Sequence, residues 1–344
     1  MPLVTIITPV FNRAHLIAET LVSVQNQEFK DWECLIVDDG STDEIEQVVS
    51  DFMQNDHRFS FVKRPGSYRQ GGCGARNYGL SIAKGSYVVF LDSDDLLTRN
   101  ALKSRMNYLE NSNIDMLISS SVAFKLTRGD DNRLWNVIKS EETIETLVIR
   151  FFKSDMPWNT NCVTWKKDFV QKIRGWNENL TAWQDWELHL RALASSPELK
   201  VTENPPDNYF RINEAGSIGS TYKQRKYFNS VRIAVLSVQQ AYRDQLGLKR
   251  KLQPHFKNFV LRSIVHNGFI RNFQWTSFKF LFGKQFFYGL SRWEYLRYYL
   301  LEFFSRSTKI KKLFLKKKYR EYLDTIKIDS SHLQHKISDV SLKD

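Results

Sequence analysis

The stretch Tyr87-Val88-Val89-Phe90-Leu91-Asp92-Ser93-Asp94-Asp95 decides the reading of this chain, because an unbroken apolar run ends abruptly in three carboxylates. A short run of this kind, rich in β-branched and aromatic residues, suits a strand buried on both faces. Such a strand delivers its acids to one point and then stops. Hard divalent cations such as Mg²⁺ keep most of their waters, take one or two carboxylates from a protein and complete their shell with substrate phosphate oxygens. Asp92 and Asp94 have the chemistry and spacing for that. Taken alone, Asp-x-Asp after a strand is equally ordinary turn chemistry, in which Asx side chains bond the local backbone.

Upstream, short β-rich runs alternate with helical segments. Val4 to Thr8 precedes Ala14 to Gln27, Glu33 to Val37 precedes Thr42 to Gln54, and Phe59 to Lys63 precedes Gly74 to Ala83. Strands separated by helices of this length imply right-handed β-α-β crossovers and a mostly parallel sheet flanked by helices. Ser41-Thr42-Asp43-Glu44 behind Gly40 has the form of a capping box. In parallel sheets ligands bind beyond the carboxyl ends of the strands. Three such ends carry suggestive residues: Thr8-Pro9-Val10-Phe11-Asn12, Asp38-Asp39-Gly40 and Asp92-Ser93-Asp94.

Further along, Met116 to Lys125 and Leu134 to Ile138 suggest a hairpin-like pair, and Glu142 to Phe152 and Trp183 to Ala194 read as helices. On the second helix Trp183, Trp186, Leu190 and Leu193 share one face, which leaves Asp185 free to face a cleft. From about Tyr222 strand signals fade and helical runs take over, with 15 of the 47 aromatic residues between positions 269 and 304 and a basic cluster at Lys309 to Arg320.

With 344 residues, 42% of them hydrophobic, the chain can bury a full core with an appendage. Its net charge of +12 is unevenly placed: residues 223–344 hold 26 Lys and Arg against 8 Asp and Glu, residues 1–222 hold 24 against 30. The three cysteines, Cys34, Cys73 and Cys162, have no paired or zinc-knuckle spacing, and the sequence enters an alternating strand without a signal-peptide pattern. A reducing, cytoplasmic setting is the expectation. No apolar stretch approaches the ~20 residues that span a bilayer. The aromatic and basic C-terminal region suits amphipathic helices at an anionic membrane surface, or a helical bundle with a basic outer face. Nucleic acid is a poor fit, since no reader motif accompanies the basic residues.

The strings Thr8-Pro9-Val10-Phe11-Asn12-Arg13, Val37-Asp38-Asp39-Gly40-Ser41-Thr42-Asp43, Gly72-Cys73-Gly74-Ala75-Arg76-Asn77-Tyr78-Gly79 and Leu91-Asp92-Ser93-Asp94-Asp95, in that order, closely resemble the nucleotide-binding half of the family 2 inverting glycosyltransferases, which have the GT-A fold. The resemblance runs more loosely to about residue 220. It implies a GT-A domain over residues 1–220, with a nucleotide-binding half at 1–95, an acceptor-binding half at 96–220 and a helical extension at 221–344. By position it assigns Pro9 and Phe11 to the base and ribose, Asp39 to the base with a preference for uracil, Arg76 to the nucleotide, Asp92 and Ser93 to the ribose and diphosphate, and Asp94 to a Mn²⁺ or Mg²⁺ ion.

The segment from Gly175 to Leu188 resembles the family's acceptor side and sets Asp185 at the position of the catalytic base. Gln184 stands where the family usually has an acid, so Glu187 is the second candidate. Phe210-Arg211-Ile212-Asn213 resembles the closing loop, with Asn213 where many members have His. Physical chemistry runs the same way, because a fixed cation with Arg76 would stabilise the departing diphosphate and inversion needs a carboxylate base opposite the leaving group. The blander readings are a solvated Arg76, a surface Asp185, and Trp158 and Trp183 as core residues, not sugar platforms. The expected function is transfer of a sugar from a nucleotide-diphosphate donor, a UDP-sugar favoured, to a saccharide or lipid-linked glycan in surface polysaccharide synthesis, at the inner face of the cell membrane. A sugar-1-phosphate nucleotidyltransferase, which needs a basic Gly-rich loop that Thr8 to Arg13 lacks, and a non-catalytic membrane or partner-binding module are the alternatives.

Overall fold

The computed structural model of the chain describes residues 2–139, 141–212, 225–243, 246–266 and 291–305, with positions 321, 324 and 334–336. Asn213, most of the aromatic stretch and the whole basic cluster from Lys309 to Arg320 lie outside the described residues.

Ten strands and ten α-helices are described. In chain order they are β1 (Val4–Val10), α1 (Ala14–Gln25), β2 (Trp32–Asp38), α2 (Ile45–Asn55), β3 (Phe59–Lys63), α3 (Gly72–Ile82), β4 (Tyr87–Phe90), β5 (Leu96–Leu97), α4 (Ala101–Leu109), β6 (Met116–Ile118) and β7 (Ser121–Phe124). There follow α5 (Ile144–Lys153), β8 (Val163–Lys166), α6 (Lys167–Lys172), α7 (Gln184–Ala194), β9 (Leu199–Val201), β10 (Asn208–Arg211), α8 (Arg225–Ala241), α9 (Leu246–Val260), a π-helical turn at Leu261–His266 and α10 (Arg292–Ser305). No helix among the described residues is long and apolar enough to cross a membrane.

Seven strands form one sheet in the order β3-β2-β1-β4-β8-β6-β9, and β5-β10-β7 form a second. The first four are mutually parallel, with Val10 opposite Asp38 and Ile7 opposite Phe90, so their carboxyl ends share one rim. Strand β8 is inserted antiparallel between β4 and β6. That brings the residues just before β8 to the same rim. Both faces of the large sheet are buried, which is why its strands read as continuous apolar runs. One face, with Ile6, Cys34, Ile36, Val89 and Leu91, packs on α1, α2 and α4. The other, with Ile7, Val37, Val88 and Phe90, packs on a core that also holds Phe152, Trp186, Val235 and Phe259 from α5, α7, α8 and α9, with Trp158 from the loop after α5.

Three local expectations are corrected. The run from Met116 to Lys125 is not one strand: a bend at Ser119-Ser120 sends β6 into the large sheet and β7 into the small one, where Leu134 meets Val122 through an isolated bridge only. The capping box does not form. Ser41 accepts from the Asn12 amide (2.9 Å), and Asp43 accepts from Ala14 (2.8 Å) at the start of α1, so these side chains brace the loop after β1 against the loop after β2. Helix α7 begins at Gln184, one residue later than the apolar pattern suggests, because Trp183 is in the left-handed region at φ 62°.

Candidate active site

The loops at the shared rim converge. After β1, Pro9 is partly buried and the ring of Phe11 stands 49% exposed at the rim. After β2, the buried Asp39 carboxylate accepts from Arg64 Nε (2.5 Å) and from the Gly71 amide (2.8 and 3.0 Å). Gly71 has φ 125°, a backbone that a side chain would strain, and this conformation turns its N–H toward Asp39. A carboxylate offers about four lone-pair directions, so Asp39 keeps capacity for one more donor.

After β4 comes the acidic loop. Asp95 closes it by donating its amide to the Asp92 carbonyl (3.1 Å), and its carboxylate accepts from Asn161 Nδ2 and from the Arg211 amide (2.7 Å). Asn161, just ahead of β8, also accepts from the Asp92 amide (3.3 Å). Behind it the fully buried Arg105 binds Asp207 through two contacts (2.7 and 2.8 Å), together with Ser119 and the Asn161 carbonyl. Arg211 clamps the outer side through the Asp94 carbonyl (3.0 Å) and Glu19 (2.6 Å). Asp95 is thus structural, while Asp92 and Asp94 point their oxygens elsewhere. Burial and then the charge of Asp92 push the Asp94 carboxyl up to about 6. Burial, followed by Asp94 and Asp92, lifts Asp95 well above the carboxylate range. Ser93 is buried in the same turn.

Among the described residues no three His, Cys, Asp or Glu side chains gather as a complete metal shell. A cation that takes most of its ligands from water and phosphate does not need one. The crowded carboxylates, with Asp94 raised in pKa, fit a positive charge there.

Arg76 joins the two halves of the site. Its guanidinium, nearly buried, donates to Asp92 (2.5 Å) and to Gln184 Oε1 (3.3 Å), and lies 4.5 Å from the centre of the Trp176 ring. Its Nε is buried without a partner. Gln184 is the first residue of α7 and Asp185 the second. Burial, the largest influence, raises the Asp185 carboxyl above the usual range while the Trp186 amide holds it down; Asp92 and Arg76 both act on it through space. The loop ahead of α7 is tied back to α3, since Asn77 bonds the Trp176 amide and carbonyl (2.8 Å each) and Glu178 (2.8 Å).

The structure therefore brings Asp39, Arg76, Asp92, Ser93, Asp94 and Asp185 to one rim, with Pro9 and Phe11 beside them. Glu187 is excluded as a free base: it is fully buried, paired with Arg191 (2.9 and 3.0 Å) and bonded by Ser237 (2.5 Å). Trp158 is core, and Trp183 spends its indole N–H on the Tyr227 hydroxyl (2.6 Å). Sequence reasoning missed Arg64, Asn77, Asn161, Gln184 as a partner of Arg76, and Arg211. A separate hollow of about 440 Å³ lined by Ser23, Asn26, Lys30, Arg99 and Arg128 shares none of these residues.

A mostly parallel sheet with an acidic loop at its rim and a second carboxylate facing it defines a GT-A type transferase. Residues 5–171 match the family model described as glycosyl transferase family 2. An uncharacterized glycosyltransferase of Haemophilus influenzae is 31% identical over 271 residues, 79% of this chain and 98% of that protein. The GalNAc(5)-diNAcBac-PP-undecaprenol beta-1,3-glucosyltransferase of Campylobacter jejuni is 41% identical over 106 residues, 31% of this chain and 34% of that protein. Among solved structures, S. aureus TarS (residues 1–349) in complex with UDP-GlcNAc aligns with a TM-score of 0.64 at 19% identity, over 95% of this chain and 88% of that one. The chain belongs to the family 2 glycosyltransferases, and it is a sugar transferase.

Proposed function

We propose that the protein transfers a sugar with inversion from a UDP-sugar to a hydroxyl of a lipid-linked saccharide, with Asp185 as the base. The observation that carries this reading is Arg76, whose guanidinium spans from Asp92 on the donor side to Gln184, the residue before the base on α7. Uracil has one imide N–H, matching the acceptor capacity left on Asp39, and the exposed Phe11 ring offers it a face. Asp92 and Ser93 take the ribose and diphosphate side. Asp94 would hold a Mn²⁺ or Mg²⁺ ion, which neutralises charge on the diphosphate when bound. Arg76 adds a fixed positive charge where the leaving group develops its own. Asp185, its basicity raised by burial, takes the proton of the attacking hydroxyl. A lipid-linked acceptor is supported by the C. jejuni relative's name. The basic C-terminal region, with Trp293 80% exposed on α10, supports peripheral attachment at the inner face of an anionic membrane in surface polysaccharide synthesis.

The test is Asp185→Asn. Transfer from UDP-glucose or UDP-GlcNAc to an undecaprenyl-diphosphate-linked acceptor should fall by about 10²- to 10⁴-fold, while the thermal shift produced by UDP and Mn²⁺ should persist. Undiminished turnover in the variant removes Asp185 from the chemistry, and an equal thermal response to GDP-sugars removes the assignment of Asp39 to a uracil-type imide.

A further inference from the structure

The turn that delivers Asp185 is held by the C-terminal helices and not by the sheet. Thr181, Ala182 and Trp183 lead into α7, and Trp183 adopts φ 62°, a left-handed backbone that costs about 1–2 kcal/mol in a residue with a Cβ. Strain of that kind persists only where the surroundings over-determine it. Here they do. Ser230, buried on α8, accepts from the amides of Thr181 (2.9 Å) and Ala182 (3.0 Å) and donates to the Ala182 carbonyl (2.7 Å). One donor and two acceptor positions are all that a hydroxyl has, and every one is spent on this turn. Tyr227, one helical turn earlier on the same face, accepts from Trp183 Nε1 (2.6 Å). The Trp183 ring also packs against Trp186 and, on α9, Phe259, with centroids 5.3 and 5.4 Å away. Directly downstream, Gln184 donates to the Leu180 carbonyl (3.2 Å) while its oxygen accepts from Arg76.

We propose that Ser230 and Tyr227 are positioning residues for the transfer step: they lock the Thr181–Trp183 turn and so aim Asp185 and Gln184 at the donor. This inference rests on the reading of Asp185 as the base. It makes sugar transfer depend on residues well beyond the 5–171 stretch that the family model covers. A small displacement of a reacting group lowers turnover without weakening donor binding, and about 1 Å can cost on the order of 10²-fold. A support that merely stabilised the fold would lower the melting temperature and leave the turnover of folded enzyme intact.

The experiment compares Ser230→Ala with Ser237→Ala in the full chain. Both remove one hydroxyl from α8, Ser230 buried and Ser237 partly buried, but Ser237 bonds the Glu187 side chain and not the Thr181–Trp183 backbone. Release of UDP from UDP-glucose or UDP-GlcNAc, whichever the unaltered protein uses, is followed with an undecaprenyl-diphosphate-linked acceptor, alongside melting temperature. Ser230→Ala should lower kcat by about tenfold or more with donor KM within about twofold, and Ser237→Ala should keep kcat within about twofold. Equal effects of the two variants, or kcat preserved in Ser230→Ala, overturn the proposal. Should Ser230→Ala not fold, Tyr227→Phe decides: it keeps the ring and removes the hydroxyl that accepts from the Trp183 indole, and unchanged kcat then overturns the positioning role. An unaltered protein that releases no nucleoside diphosphate from UDP-, GDP- or dTDP-sugars sinks the proposed transfer step and this inference with it; activity indifferent to Ser230 sinks this inference alone.

Discussion

At Asp94 the demands of folding and of ligand binding oppose each other. Burial and the neighbouring Asp92 hold its carboxyl at about 6, whereas an unfolded chain releases the same proton near pH 4. The stability associated with this proton is therefore complete below about pH 4 and is lost as pH rises to about 6. Asp94→Asn should raise the melting temperature of the ligand-free protein at pH 7.5, by about 1–2 °C for each kcal/mol relieved in a chain of this length, and change it little at pH 4. Calorimetry between those limits checks the sign; a variant less stable at pH 7.5 would count against a strained acidic loop. Mn²⁺ should stabilise the unaltered protein at pH 7.5 and less at pH 5.5, where protons compete for the carboxylate, and should not stabilise Asp94→Asn. Asp92 and Asp94 were legible because the apolar run stops at them. Their supports were not, since Asn161 and the Arg211 amide reach Asp95 from 66 and 116 positions away and no local pattern marks such partners.

Among the elements, the loop between Gly175 and Leu180 sets how the two halves of the site meet. Gly175 has φ 54°, and a Cβ there would sit 2.5 Å from Asn77 Oδ1, so the loop and the Asn77 amide fit only without a side chain. Asn77 supplies both a donor and an acceptor to the Trp176 backbone. Replacing it by Ala leaves those groups unpaired in a partly buried place, and a loss of roughly 3 kcal/mol is expected, read as a lower urea midpoint with an unchanged slope. A midpoint equal to that of the unaltered protein would mean that water replaces Asn77 without cost. Strands β1 to β4 and their helices were readable because burial on both faces writes continuous apolar runs between turn residues. The division of Met116–Phe124 between two sheets was not, because β6 and β7 are equally apolar and the bend between them is set by Ser119, which bonds Arg105 and Asp207. Nor was the fate of Ser41 and Asp43, whose capping chemistry is real but serves a neighbouring loop.

Across the whole molecule, the composition step near residue 222 suggests two regions with different tasks, yet the packing runs through it. Phe259 stacks on Trp186 with planes 12° apart and centroids 4.7 Å apart, Arg262 bonds the carbonyls of Phe152 (3.1 Å) and Lys153 (3.3 Å), and the Tyr242 hydroxyl bonds the Leu190 carbonyl (3.0 Å). Phe152, Trp186 and Leu190 are buried only because α8 and α9 complete that side of the core. A large aromatic side chain returned to water forfeits about 2–3 kcal/mol, and several would be exposed together on one patch. A chain ending at residue 222 should therefore be recovered as aggregate or as a species that binds ANS and lacks a cooperative thermal transition. Full-length protein should show a single transition, because sheet and extension share side chains instead of meeting at a thin interface. The truncated chain melting cooperatively within a few degrees of the full one would show that the C-terminal helices only lean on a finished core, and the positioning of Asp185 would then have to come from the sheet side alone.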